Sequence, residues 1–236
     1  MKKRFVLLFM LLYSAPAVLL AQKNRLQVSS PDKKIVVDIL AGTDLQWTVK
    51  HDEQIIIEPS SIGIQLNNGE TLGANPKITS SKLEKVKKEI TAINYKKSII
   101  PVEYNQLTLR CRGDFGLLVR VYNEGVAYRF FTSRKEDLII TNETVNFNFP
   151  ADYKSFIPFV RDLRGTEIYI NSFEALYKEI SISKINPDTL AFLPLLIDVG
   201  NGKKVVILEA DLEDYPGMFM NVNQETRKGL VGEFAP

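Results

Sequence analysis

Apolar and polar residues alternate along most of the chain, and a period of two predicts β-strands. Segments 26–28 and 35–40 alternate around the turn Ser30-Pro31-Asp32, with Ile35, Val37 and Ile39 on one face and Val36, Asp38 and Leu40 on the other. Segments 45–49 and 54–58 flank His51-Asp52-Glu53 as a hairpin. Segment 61–66 is a further strand, closed by Asn67-Asn68-Gly69, residue types that tolerate the positive φ of tight turns. In segment 82–95, Leu83, Val86 and Ile90 fit a helical stripe, but the Val, Ile, Thr and Tyr content fits a polar-faced strand, and strand is the reading adopted. The clearest strands are 106–112, 115–123 and 126–132, the last two joined by Tyr122-Asn123-Glu124-Gly125. Segments 138–141 and 145–149 continue the series, and 190–199 and 203–210 form a late pair around Gly200-Asn201-Gly202. Strands at about eight- to twelve-residue spacing, with turn signals between them, predict an all-β antiparallel sandwich or barrel. No long helix, internal repeat or low-complexity tract interrupts the pattern.

The N-terminal segment departs from this rhythm. Lys2, Lys3 and Arg4 precede an apolar run over 5–20 that contains Pro16 and closes at Ala21-Gln22. This is the layout of a secretory signal peptide over residues 1–21. The run is short against the roughly twenty residues of a membrane span, which makes a retained anchor the lesser alternative. The mature chain is then expected to begin near Gln22, with no membrane span, in the periplasm or on the outer surface of a Gram-negative bacterium. Losing the leader lowers the formal charge from +2 by three, to −1, so neither nucleic acid nor anionic lipid is an expected partner. Cys111 is the only cysteine; no intrachain disulfide is possible, and stability must come from the core. With 45% hydrophobic residues the chain can build one.

The common catalytic signatures are missing. The single histidine, His51, lies in a polar turn, which rules out His-rich metal sites and makes a poor base for a Ser-His-Asp triad. There is no Gly-x-Gly-x-x-Gly and no P-loop. Cys111, between Arg110 and Arg112 in a strand, reads as an inward-facing core residue. Asn142-Glu143-Thr144 matches the glycosylation sequon, a pattern too short to carry weight. Carboxylates remain. Glu167, Glu174 and Glu179 lie in a segment rich in Tyr and Phe, and Glu209, Asp211, Glu213 and Asp214 cluster after the last predicted strand. Carboxylates beside aromatic rings suit sugar recognition, and they suit Ca²⁺, which takes oxygen ligands. The plain alternative is that these are solvated loop acids.

Several stretches, in order along the chain, resemble the N-terminal domain of glycoside hydrolase family 97, the exported α-glucosidases and α-galactosidases of Bacteroidetes type. Leu26-Gln27-Val28-Ser29-Ser30-Pro31-Asp32 is similar to the family's opening strand. Ile56-Ile57-Glu58-Pro59-Ser60-Ser61-Ile62-Gly63-Ile64-Gln65-Leu66 and Tyr104-Asn105-Gln106-Leu107 match two further signals. The most specific stretch is Arg120-Val121-Tyr122-Asn123-Glu124-Gly125-Val126-Ala127-Tyr128-Arg129-Phe130, and Leu208-Glu209-Ala210-Asp211-Leu212-Glu213-Asp214-Tyr215-Pro216-Gly217-Met218 matches a late signature.

The resemblance implies a large antiparallel β-sandwich over 22–233, packed in the family against a catalytic (β/α)₈ barrel that acts on oligo- or polysaccharide. The catalytic acid and the base or nucleophile belong to that barrel, so none is carried onto this sequence, and residues 234–236 read as the start of a linker to a barrel this chain lacks. It also implies one site residue. A family Glu that helps hold an active-site Ca²⁺ corresponds to Glu174, in Asn171-Ser172-Phe173-Glu174-Ala175-Leu176-Tyr177 downstream of Phe156-Ile157-Pro158, where the family has Trp in place of Phe156. Calcium is expected only in the full enzyme, since one carboxylate cannot satisfy its six to eight oxygen ligands. Two readings follow: the N-terminal part of a family 97 glycosidase, inactive alone, or a stand-alone exported sandwich that binds carbohydrate or protein.

Overall fold

Alternation becomes strand wherever one face finds something to bury against. In the computed structural model, which describes residues 25–93, 95–160, 168–170 and 173–235, β1 (Arg25–Ser29), β2 (Ile35–Ala41) and β3 (Leu45–His51) form an antiparallel meander. Ile35, Val37 and Ile39 are buried, as their spacing predicts. Asp38, on the opposite face, is only 1% exposed. It is held there by Arg25, which donates from Nε at 3.0 Å and Nη2 at 2.6 Å, and by Gln27 Nε2 at 2.9 Å. The leader, Glu167, Asn171 and Ser172 lie outside the described residues.

Two pairs of expected strands are single long ones. β4 (Gln54–Leu66) runs through both 54–58 and 61–66. Pro59, which has no N–H for the ladder, reads as a break, but it lies in a β-bulge, the place a strand tolerates it. The register against β3 and against β10 (Ile140–Asn148) slips here. Ser60 Oγ donates to the Glu58 carbonyl at 2.7 Å and accepts the Asn148 N–H at 2.8 Å, while Asn148 Nδ2 donates to the Pro59 carbonyl at 2.9 Å. β10 likewise fuses 138–141 with 145–149, because Asn142, Glu143 and Thr144 pair with β4 through their backbones whatever their side chains. The large sheet has eight strands in the order β1-β2-β3-β4-β10-β16-β15, where β15 (Phe219–Val222) and β16 (Gly229–Glu233) are a hairpin and the short β5 (Thr71–Leu72) also pairs with β4.

Two four-stranded sheets cover it. One has the order β6-β7-β8-β9, from β6 (Ile78–Thr91), β7 (Ile99–Cys111), β8 (Phe115–Val121) and β9 (Val126–Thr132). The ambiguous 82–95 segment is therefore strand through Thr91. β8 pairs with β7 only from Asn105 onward, so the outer part of β6 and β7 extends as a two-stranded ribbon. At Gly116 an added Cβ would stand 2.2 Å from the Leu109 carbonyl oxygen and 2.3 Å from the Phe131 ring, which lies across the position. The other sheet has the order β12-β11-β13-β14, from β11 (Lys154–Ile157), β12 (Lys178–Ser181), β13 (Leu195–Gly200) and β14 (Lys203–Ile207). The late pair is shorter than its apolar run suggests. Ala191 makes only isolated bridges to Phe159 and Met220, and residues after Ile207 leave the ladder.

One core joins the layers: Ile39, Trp47 and Ile62 of the large sheet pack with Leu109, Leu117 and Val119 of the first small sheet and Ile157, Ile197 and Ile207 of the second. This is the expected all-β sandwich. Cys111 is buried with Ile64, Leu66, Leu72 and Phe115, and burial pushes its thiol pKa up.

Candidate functional site

The acidic segment after β14 crosses the seam where the three sheets meet. β14 and β9 are edge strands of the two small sheets, and Tyr128 of β9 lies within reach of the Glu143 charge of β10. Leaving the ladder after Ile207, residues 208–218 are fixed by polar contacts rather than by strand pairing. Arg129 of β9 pairs with Asp211 at 2.9 Å, and the Glu209 carboxylate accepts the Met218 N–H at 2.9 Å. Tyr215 Oη donates to Glu143 of β10 at 3.0 Å, and the Tyr215 ring packs edge-on against Phe234 at 6.4 Å. Asp211 and Asp214 take left-handed backbone conformations (φ 62° and 54°), which turn the chain sharply at both ends of Leu212 and Glu213.

Electrostatically this seam is unusual. Burial pushes the Glu143 carboxyl pKa up and the nearby Glu209 charge adds to it, against the Tyr215 hydrogen bond. Glu209 is pushed up as well, again mainly by burial, with its bond from Met218 opposing. The Tyr215 and Tyr128 phenols rise far above their ordinary values, burial first and the Glu143 charge next. Tyr128 also stacks edge-on against Trp47 at 5.3 Å, which ties the seam to the core. Two partly buried carboxyls thus lie near each other beside two phenols that stay protonated, one of which donates to Glu143.

Glu143 was hidden in sequence by the sequon it belongs to. A signal existed: Glu143, Val145 and Phe147 share one face of β10, and the latter two are buried core. A carboxylate in phase with core positions is the pattern to look for. Of the carboxylates singled out, Asp211 is bound in the Arg129 pair, and Glu179 pairs with Lys154 at 2.6 Å. Glu213 and Asp214 are exposed on the loop. His51 Nδ1 lies 3.3 Å from Asp52, and its backbone carbonyl accepts Lys203 Nζ at 2.7 Å, a structural link between sheets.

Glu174 is exposed in the stretch before β12. Its neighbour Phe173 packs against Phe192 and Phe219 at 5.5 and 5.8 Å, and Tyr177 Oη donates to the Pro194 carbonyl at 2.7 Å. These contacts anchor the stretch on either side of the carboxylate. Among the described residues no group of three or more His, Cys, Asp or Glu side chains is placed to hold a metal ion. A hard oxygen donor such as Glu174 fits a Ca²⁺ coordination sphere as one ligand of several.

Comparison with known proteins agrees with the architecture. The sequence profile described as Glycosyl-hydrolase 97 N-terminal matches residues 28–235. A retaining alpha-galactosidase from Bacteroides thetaiotaomicron is 34% identical over 221 residues, covering 92% of this chain and 33% of the relative. Among solved structures, a beta-arabinopyranosidase superposes with a TM-score of 0.76 at 22% identity, over 88% of this chain and 35% of that one. A Glycoside Hydrolase Family 97 enzyme from Pseudoalteromonas sp. strain K8, solved with acarbose, gives 0.74 at 18% identity, over 89% and 32%. The chain spans about a third of the length of these proteins. With a profile match across nearly all described residues, the chain belongs to glycoside hydrolase family 97, as that family's N-terminal domain.

Proposed function

We propose that this β-sandwich is the non-catalytic N-terminal part of an exported family 97 glycosidase that acts on α-galactosides or α-glucosides. The observation that carries the reading is the match over residues 28–235 to a domain that makes up a third of a retaining alpha-galactosidase. That relative favours the galactoside. Glycoside hydrolysis needs two carboxyl groups flanking the scissile bond, about 5–5.5 Å apart for retention. In this reading that pair belongs to a catalytic (β/α)₈ barrel, and the sandwich holds the barrel and supplies Glu174 to a Ca²⁺ beside the substrate. When bound, the ion supplies positive charge that lowers the pKa of neighbouring acids. The chain's own part is to present the Glu174 carboxylate on a stretch fixed by Phe173 and Tyr177.

The test adds this chain to the part of the Bacteroides relative that follows its matched region, produced separately. Ca²⁺-dependent hydrolysis of a nitrophenyl α-galactoside should rise on addition, and Glu174→Ala should weaken the calcium dependence. Equal turnover with and without the chain contradicts the proposal.

A further inference from the structure

Along the ribbon of β6 and β7 the apolar side of the sheet changes over. Within the sandwich, β7 turns Leu107, Leu109 and Cys111 to the core, and Thr108 and Arg110 alternate with them on the other face. Beyond Asn105, where β8 stops pairing, the phase is reversed. The positions in step with the core now include Lys85, Lys87, Glu89 and Glu103. The opposite face carries Tyr104 across from Val86, then Val102, then Ile100 across from Ile90. Reversing the phase moves an apolar set to the other side of a strand pair, so this row lies on the side of the sheet that the core does not occupy. Its inner end is fixed: Tyr104 packs on Tyr122 at 4.9 Å, with the Arg120 guanidinium 5.0 Å from its ring centre. From there the ribbon reaches about 20 Å past the last β8 pair, at the usual rise of a strand.

The outer end combines exposed apolar side chains with positive charge. Ile90 and Ile99 are 44% and 52% exposed, Ile93 87% and Tyr95 66%. The Ala92 N–H donates to the Ser98 carbonyl at 2.9 Å and closes the turn. Residues 90–102 contain Lys96 and Lys97 and no acid. Over 82–103 six lysines meet three glutamates, whereas the rest of the chain after residue 21 has 21 Lys and Arg against 25 Asp and Glu. A basic ribbon thus stands on an acidic body. Lys82 pairs with Glu84 at 2.7 Å and Lys87 with Glu103 at 3.7 Å; among the described residues Lys85, Lys88, Lys96 and Lys97 have no ion-pair partner.

We infer that the outer end of this ribbon, Ile90, Ile93, Tyr95 and Ile99 with Lys96 and Lys97, is a contact site for an anionic lipid bilayer. The overall charge of −1 after the leader gives no reason to expect such a partner; its distribution does. Aliphatic side chains enter the acyl boundary, tyrosine sits at headgroup level, and lysine lays down its apolar stem while its ammonium reaches the phosphates. The same lysines disfavour a protein partner, because lysine is depleted at protein interfaces. Each lysine held near an anionic surface strengthens attachment roughly fivefold. The contact is peripheral, sensitive to salt, and independent of the function proposed above.

The test is co-sedimentation of the chain from Gln22 onward, free of the leader's apolar run, with vesicles. One set contains equal parts of phosphatidylcholine and phosphatidylglycerol, the other phosphatidylcholine alone. Binding to the anionic set should be about tenfold or more tighter, and should weaken as salt is raised. Lys96→Glu with Lys97→Glu, and separately Ile93→Asp with Tyr95→Asp, should each weaken it about tenfold or more. Lys34→Glu with Lys135→Glu, the same charge change on exposed lysines of the body, should leave it nearly unchanged. Every substituted position is exposed, so the variants should fold. Tyr95→Trp should emit further to the blue on the anionic vesicles, against a constant background from Trp47 in the core. No binding to the anionic vesicles overturns the inference, as does binding that neutral vesicles match or that the tip variants leave unchanged. A dimer in sedimentation that Ile93→Asp with Tyr95→Asp abolishes, without vesicle binding, makes a second copy the occupant and also overturns it.

Discussion

Asp38 and Glu143 are carboxylates on the same eight-stranded sheet, and their pKa values are shifted in opposite directions. Burial raises the Asp38 pKa, but the hydrogen bonds from Arg25 and Gln27 and the guanidinium charge more than offset it, so its net shift is downward. Burial also raises Glu143, and there a phenol and a second carboxylate are the neighbours, so the net shift is upward. Asp38 is completed by its own hairpin. Glu143 is met instead by a phenol of the 208–218 loop, Tyr215, at 3.0 Å. The same residue chemistry on the same sheet thus shifts in opposite directions according to whether a cation or a second acid is its neighbour.

Substitution should cost most where packing is tight or a buried charge loses its partner. Gly116→Ala forces a Cβ against the Leu109 carbonyl and the Phe131 ring, and should cost about 2–3 kcal/mol in urea unfolding, the usual scale of overpacking. Arg25→Ala leaves the Asp38 carboxylate buried with only its weaker partners and should cost about 2 kcal/mol at pH 7. That loss should shrink in acid. With its folded pKa depressed, Asp38 contributes stability that is present above its unfolded value and lost as pH falls through the folded one. The seam has the opposite sign. A raised folded pKa means that Glu143 contributes stability present below its unfolded value and lost as pH rises through the folded one. Glu143→Gln should therefore lose less stability than the wild type between pH 4.5 and 7, measured by denaturation at each pH. A steeper loss in the variant would break the contrast. Glu174→Ala should change the fold's stability by less than about 0.5 kcal/mol, as expected for an exposed side chain.

Much of this fold is legible in the sequence, because a strand half-buried on a core announces itself by period. β2, β3, β8 and β9 fall where alternation places them. The failures have physical causes. Pro59 masked the continuity of β4 because a bulge, specified by Ser60 and Asn148 from two strands, cannot be seen locally. β11, β12 and β16 are short and are held by pairing with strands remote in sequence, and β15 is a four-residue edge strand held by its hairpin with β16. The candidate site divides in the same way. The late acidic signature was visible as a motif, but its meeting with Glu143 and Arg129 depends on three sheets converging. Glu174 came from family resemblance alone; nothing local in the sequence separates it from Glu179, which pairs with Lys154.

The most direct measurement is hydrolysis by the purified chain alone on nitrophenyl α-galactoside and α-glucoside, with Ca²⁺ present. A domain that docks and supplies one calcium ligand, but no catalytic pair, should show no turnover above the uncatalysed rate. Turnover by this chain without any other protein would contradict the account.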